Sequence, residues 1–374
     1  MRFSTMILRN LLRRGVRSAL TVLGLAIGVA AVVSLLGISW GFEHSFMTIY
    51  ETKEIDLVVI RAGIGDRLTS SLDETLESQI AAVPGVRRVV GSLTDVVSFE
   101  EANLVSVLAN GWKPESLLFQ GIRILKGRTL RPDDDRAVIL GRVLAINLDK
   151  TVGDEVEVSG EPFQVVGIYE SDSLFENGGF VLPITELQTL MGRKGDVSGF
   201  VVSAAASDRK SVEALKRRIE DSIRGVAAVP ARDFVRSDNQ IRLVKSMSWA
   251  TSVIAMVLGS VGVLNTMLMT VFERTKEIGI LRALGWRRSR VLRMVLWEAC
   301  ALGLTGAFVG TIMAYVGVKA LSQSPMASIF INGDLPFNVL AIGLALGSCL
   351  SLVGGLYPAF RAASLDPTEA LRHE

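Results

Sequence analysis

The sequence predicts an α-helical membrane protein with four transmembrane helices, one before and three after an extracytoplasmic α+β domain of two subdomains. Three observations predict it. Four long stretches, 19–40, 246–272, 294–318 and 335–360, contain no charged residue other than Glu298. At 1.5 Å per residue, each is long enough to cross a hydrocarbon core of about 30 Å as a helix. Charge is segregated: of 40 basic and 38 acidic residues, 25 and 31 fall within 42–245, which leaves 15 and 7 elsewhere. A net charge of −6 in the polar block and +8 around the spans is hidden in the overall +2. Finally, the polar block alternates strand-like and helix-like periods, as an α+β domain requires. The whole chain is 49% hydrophobic with a mean hydropathy of +0.40, yet 21% of it is charged.

Lys and Arg accumulate at the cytoplasmic ends of membrane helices. Arg2, Arg9, Arg13, Arg14 and Arg17 precede the first span, and Arg274, Lys276, Arg282, Arg287, Arg288, Arg290 and Arg293 lie between the second and third. The loop between the third and fourth spans carries only Lys319 and Asp334. The chain is therefore expected in a bacterial inner (cytoplasmic) membrane with both termini inside. In order, it reads as a cytoplasmic amphipathic helix (1–18), a first span (19–41), the extracytoplasmic domain (42–245) and a second span (246–272). A cytoplasmic loop (273–293), a third span (294–318), a short outer loop (319–334), a fourth span (335–360) and a cytoplasmic tail (361–374) follow. In the first segment Phe3, Ile7, Leu8, Leu11 and Leu12 alternate with arginines, which suits a helix on an anionic leaflet. The first apolar run is too long for a signal-peptide core, and Ser39-Trp40-Gly41-Phe42 is a poor cleavage site, so an uncleaved anchor is expected.

Within 42–245, a β-rich run (55–61) leads to a helical pattern (71–83) that stops at Pro84-Gly85, and then to a strand (86–99). A second unit repeats the order: strand 199–204, helix 208–224 with Asp208 near its start, strand 226–229. Such units pack side by side on one sheet, and together they read as an internal repeat. Short strands at 137–140, 155–158 and 163–169 form a β-rich subdomain inserted at about 111–183. Cys300 and Cys349 fall in spans, so the outer domain must be stable through its own core.

This domain offers little chemistry. His44 and His373 are the only histidines, so a His-rich metal site is excluded. Arg131-Pro132-Asp133-Asp134-Asp135 reads as a solvated turn, and Asn177-Gly178-Gly179 as a turn with no phosphate-cradle context. No serine of 42–245 sits in Gly-x-Ser-x-Gly, and no Gly-x4-Gly-Lys-Ser/Thr string occurs in the sequence. No catalytic residue, metal, cofactor or nucleic-acid partner is expected of this chain, and any ATP that drives it is expected on another chain.

In the spans, small residues recur four apart at Gly24 and Gly28, Gly306 and Gly310, and Gly343 and Gly347, a spacing that lets helix backbones approach in lipid. Glu298 is the only Asp, Glu, Lys, Arg or His there, so no proton relay or ion site is visible. It lies near the cytoplasmic interface, where snorkelling or pairing with a basic residue gives it a structural role. The loop is the sharpest local signal. Ile278, Leu281 and Leu284 share helical spacing among Glu273, Arg274, Lys276, Glu277, Ile280 and Arg282, and Gly285 is placed to end the helix. Two readings stand: an amphipathic helix resting on the membrane, or a short helix docked in a groove of a cytoplasmic partner.

The segment 273–285 resembles the cytoplasmic loop of the permease family that includes MacB, FtsX and the LolC/LolE lipoprotein transporters. The string Tyr357-Pro358-Ala359-Phe360-Arg361-Ala362-Ala363-Ser364-Leu365-Asp366-Pro367-Thr368-Glu369-Ala370-Leu371-Arg372 looks like that family's C-terminal signature. Residues 10–37 are similar to its first helix. The resemblance implies a MacB periplasmic core-like outer domain, and four-span subunits paired as a homodimer, with a heterodimer as the alternative. It also implies a cytoplasmic ABC ATPase that holds ATP and Mg2+. Residues 273–285 would be the coupling element, and ATP-driven closure inside would move the outer domains, which is mechanotransmission. Export, with a periplasmic adaptor and an outer-membrane channel as further partners, is the leading expectation. The alternatives are FtsX-like regulation of an extracytoplasmic hydrolase and lipoprotein extraction of the LolC/LolE kind. MacB carries its ATPase on the same chain, so the absent phosphate-binding string makes a separate ATPase the expectation here.

Overall fold

The computed structural model describes residues 15–366 other than 66, 115, 238, 330, 332 and 334, so most of the expected surface helix (1–18) and the end of the tail lie outside the described residues. The chain divides into a helical unit (1–39, 245–320, 333–374) and an α/β unit (40–244, 321–332).

The helical unit is built from α1 (Gly15–Thr52, of which 15–39 belongs here), α8 (Asn239–Glu273), α9 (Thr275–Ala283), α10 (Arg288–Leu321) and α12 (Phe337–Ser364), whereas the short α11 (Pro325–Ser328) belongs to the α/β unit. All but α9 are long and apolar enough to cross a membrane. Each of these four reaches past the uncharged stretch that predicts it, because helix propensity does not stop where charge begins. Close backbone approach sets the packing. A Cβ added at Gly306 would stand 2.8 Å from Leu25, one at Gly310 2.5 Å from the Ala26 carbonyl, and one at Gly347 2.5 Å from Ala307. Gly343 would drive into Val33 in the same way. These four glycines therefore fix α10 and α12 against α1 and against each other. Gly24 has nothing within 4 Å, and Gly28 meets only the Ala255 carbonyl at 3.4 Å. Both line a groove between α1 and α8, where Thr21 and Thr266 share a hydroxyl–hydroxyl bond of 2.8 Å.

In the α/β unit, β1 (Leu57–Arg61), β2 (Leu72–Asp73), α2 (Leu76–Ala81) and β3 (Val86–Phe99) form the first strand–helix–strand unit. The second is β11 (Gly199–Ala204), α6 (Arg209–Ser222) and β12 (Val226–Pro230). Asp208 caps α6 by accepting from the Ser211 N–H at 3.1 Å, and Val212, Leu215 and Ile219 bury its apolar face. The strands pair in the order β12-β1-β11-β3, all antiparallel. This is the interleaved arrangement of a split βαβ pair. Between β3 and β11 the chain adds β4 (Leu104–Trp112), β5 (Arg123–Gly127), β6 (Ala137–Gly141), α3 (Arg142–Asn147), β7 (Glu155–Val158), β8 (Glu161–Glu170), α4 (Leu174–Asn177), β9 (Phe180–Pro183), α5 (Ile184–Leu190) and the short β10 (Asp196–Val197). β2 and β10 form a separate two-stranded ladder.

The fourteen residues of β3 join the two parts. Its first half pairs with β11 and its second with β4, so the sheet continues as β3-β4-β9-β6-β8-β5, with β7 on β8. One strand thus belongs to both subdomains. The strict alternation that marks a strand fails at β4 because Ser106 takes φ +58°, and Val105 and Ser106 are both exposed.

The core lies on both faces of the sheet. Leu57 and Val59 point to one cluster, and Val58 and Ile60 to the other. The second cluster is covered by the end of α1 through Tyr50, with Phe42, Phe46 and Met47 packed against it, and by α7 (Ala231–Ser237) through Phe234. Just beyond α1, Lys53 is 1% exposed. Its ammonium stands 3.1 Å from a Glu176 carboxylate oxygen, donates to the Leu118 and Gln120 carbonyls, and lies 5.0 Å from the Trp112 ring centroid. The other Glu176 oxygen accepts from Ser171, and the Glu176 carbonyl accepts from the Tyr169 hydroxyl at 2.6 Å. Burial, with the Glu176 charge beside it, pushes the Tyr169 phenol well above its usual range, which keeps it a donor.

Removing one partner of a buried ion pair leaves the other charge unpaired, at a cost of about 3–5 kcal/mol. Lys53→Met is expected to destabilise the α/β unit by about 3 kcal/mol in urea unfolding of the full chain, and Lys53→Met with Glu176→Leu to restore most of the loss. Equal destabilisation in the single and double variants would contradict the pairing.

Candidate functional site

The loop between the second and third spans folds as α9, tied at both ends. Arg274, between α8 and α9, is 9% exposed, and Glu298 on α10 is 5% exposed. The Arg274 Nη1 donates to Glu298 at 3.3 Å and its Nε to Glu277 at 2.9 Å. Glu298, the one acidic residue within the spans, is thus structural. It holds the start of α9, and a planar guanidinium suits a site that must satisfy two carboxylates in different directions. At the far end, the Trp286 N–H donates to the Leu281 carbonyl at 3.1 Å and the Gly285 N–H to the Arg282 carbonyl at 3.0 Å. This Schellman closure requires a left-handed residue, and Gly285 supplies it at φ +94°.

With its ends held, α9 turns one face inward. Ile278 is 2% exposed and Gly279 is buried, whereas Leu281 and Arg282 are half-buried. Ile280 and Leu284 are 49% and 75% exposed. Glu273, Lys276 and Glu277 are exposed around them. The spacing of Ile278, Leu281 and Leu284 is correct for a helix, but the three do not share one outward face: Ile278 is turned inward, Leu281 is half-buried and Leu284 is turned outward. Ile278 and Arg274 hold the helix from inside. The outward pair is Ile280 and Leu284, four apart, rimmed by charges of both signs. Such a surface has the composition of a small helix-in-groove ligand: two apolar anchors on a preformed helix, with polar residues to set its register.

The other sequence candidates fall away on geometry. Asp134 accepts two bonds from the Arg128 guanidinium, at 2.6 and 2.7 Å, and one from the Arg131 N–H at 2.8 Å. The Arg128 hydrogen bonds hold the Asp134 carboxyl below its usual range, so the acidic run is a capped turn. Asn177 and Gly178 are likewise engaged locally, Asn177 through hydrogen bonds to Ser171. The string Gly37-Ile38-Ser39-Trp40-Gly41 has the spacing of a nucleophile elbow, but it lies inside α1, not on a strand-to-helix turn. Among the described residues, no group of three or more His, Cys, Asp or Glu side chains is placed to hold a metal ion.

Residues 18–222 match the family described as the MacB-like periplasmic core domain, and residues 249–367 match the FtsX-like permease C-terminal family. The macrolide export ATP-binding/permease protein MacB of Nitrobacter winogradskyi is 30% identical over 382 residues, which cover 95% of this chain and 58% of that protein. The chain thus spans about 58% of the length of that MacB relative. The ABC transporter permease YknZ of Bacillus subtilis is 25% identical over 400 residues, covering 99% of this chain and 98% of that protein. Among solved structures, the extracellular domain of YknZ aligns at 21% identity and a TM-score of 0.37, over 47% of this chain and 98% of that domain. The periplasmic region of MacB from Actinobacillus actinomycetemcomitans aligns at 13% identity and a TM-score of 0.38, over 49% and 94%.

If Arg274 and Glu298 clamp α9, Glu298→Gln should release it. Amide hydrogen exchange across 275–283 is expected to rise at least about tenfold, from a local loss of ~1–3 kcal/mol, while Glu277→Gln at the exposed partner changes it far less. Unchanged exchange in Glu298→Gln would remove the clamp from the account.

Proposed function

Because the chain belongs to the family of MacB/FtsX-like ABC transporter permeases, we propose that it is the permease subunit of an export machine, driven by a separate cytoplasmic ABC ATPase. The observation that carries this reading is α9: a short helix with both ends fixed and two apolar side chains, Ile280 and Leu284, turned outward. An ATPase that closes on ATP and Mg2+ needs a rigid handle on its permease, and a helix clamped through Arg274 and Glu298 transmits a push instead of absorbing it. The positive charge around the spans supports α9 and both termini on the cytoplasmic side, with 42–245 outside, in an inner membrane.

The build of the helices supports mechanotransmission. The boundary between the helical and α/β units falls inside α1 and inside α8, so two continuous helices carry residues of both. The uncharged stretches hold no Asp, Glu, Lys, Arg or His aside from Glu298, which supports force transmission over passage of a polar substrate through the bundle. A separate ATPase is supported by the match with the Bacillus subtilis permease, which covers 98% of that protein. Export is the activity in the name of the Nitrobacter relative, carried to this chain as part of the proposal. The groove along Gly24 and Gly28 is the surface we assign to a second permease copy, which makes the working unit a dimer.

Two outcomes test the reading. Ile280→Asp with Leu284→Asp should abolish co-purification of the ATPase in mild detergent while the α/β unit keeps its thermal transition. An intact complex would show that α9 is not the handle. The purified chain alone should not turn over ATP, and measurable hydrolysis by it would sink the assignment of ATP chemistry to a partner.

A further inference from the structure

The α/β unit contains a cavity of about 320 Å³ between the end of α1 and the sheet. Its roof is one helix face: Phe42, Phe46, Ile49, Tyr50 and Lys53 recur at three- and four-residue spacing, and Phe175 from α4 closes on Phe42 and Phe46 with ring centroids 4.7 and 4.1 Å apart. Its floor is one sheet face, lined by alternate residues of β3 (Ser92 and Thr94) and β4 (Ser106, Leu108 and Asn110). An aromatic roof over a polar floor makes the space amphipathic.

Charge gives it a polarity. Of the three charged residues lining the cavity, Lys53 and Glu176 neutralise each other, which leaves the guanidinium of Arg67. Ser92, fully buried, accepts a hydrogen bond from the Arg67 Nη2 and fixes the side chain. The Arg67 Nε is buried and has no hydrogen-bond partner. An unmet donor on a fixed cation at the edge of an apolar space suits an anionic group. The volume lies at the lower end of the range of about 300–1,000 Å³ for small-molecule sites.

We propose that this cavity is a binding site for a small amphiphile with an apolar, ring-sized body and one anionic group. The body lies between the α1 aromatics and the sheet, and the anion meets the Arg67 guanidinium. The site depends only on the α/β unit, so it stands or falls independently of the ATPase and of the export reading.

The test is a fluorescence titration of the full chain in lipid nanodiscs, with empty nanodiscs as the blank. The probes are 1-anilinonaphthalene-8-sulfonate and its neutral analogue N-phenyl-1-naphthylamine. The sulfonate is expected to show a saturable component of one site per chain above the blank, and the neutral probe to bind at least about tenfold more weakly. Arg67→Gln should weaken the sulfonate at least about tenfold and leave the neutral probe unchanged. Leu108→Trp, which fills the space from the floor, should remove the saturable component for both. A thermal melt establishes that each variant is folded, and if Leu108→Trp is not, Arg67→Gln with the two probes decides alone. No saturable component in the unmodified chain, equal affinity for the two probes, or sulfonate binding indifferent to Arg67→Gln would overturn the proposal.

Discussion

A charge placed among apolar side chains must bring its counter-charge with it, and this constraint governs the two points where the helices of this chain are fixed. In the helical unit, Glu298 is answered by Arg274, which sits at the first residue of the α8–α9 turn. In the α/β unit, Lys53 at the end of α1 is answered by Glu176 of α4. Each pair has further hydrogen bonds, and a buried pair without them would cost more than its attraction returns. Since hydrophobic residues of similar volume often give equal or greater stability, these pairs are better understood as setting geometry than as adding strength. The first sets the angle at which α9 leaves the bundle. The second sets where α1 ends on the sheet.

Within the helical unit the helices pack closely. Gly306, Gly310, Gly343 and Gly347 let α1, α10 and α12 approach until backbone meets side chain, with no room for a methyl group. Packing of that density gives an element discrete positions, which is what the proposed lever needs. The groove at Gly24 and Gly28 is the contrasting case, because the same spacing there meets open space at Gly24 and only the Ala255 carbonyl, at 3.4 Å, at Gly28. Identical sequence signals therefore have two physical outcomes: close approach inside one chain, and an open groove, the one we assign to a second copy.

Much of this was legible in the sequence. The four spans follow from length and charge alone, since no soluble core requires four apolar runs of that size. The strands 86–99, 155–158 and 199–204 coincide with β3, β7 and β11, and the helix at 208–224 begins at its Asp208 cap. β4 was hidden because Ser106 breaks the alternation, and β9 because four buried residues in a row carry no period. The continuity of the sheet through β3 could not be read either, as nothing in a strand says that its two halves have different partners. For α9, spacing identified the helix but not which of its apolar side chains face outward. Ile278 and Ile280 are equally apolar, and only the folded structure shows the first turned inward and the second outward. The cavity was wholly hidden, because its walls come from segments far apart in sequence that meet only after folding.

The central claim is that ATP hydrolysed by a partner moves the α/β unit of this chain. Its most direct measurement is pulsed electron paramagnetic resonance between spin labels on two copies in nanodiscs with the ATPase bound, using Asp221→Cys as the label site and Ser in place of Cys300 and Cys349. The account predicts that the inter-label distance distribution shifts when ATP and Mg2+ replace ADP. A distribution that stays fixed while ATP is hydrolysed at the full rate would contradict it.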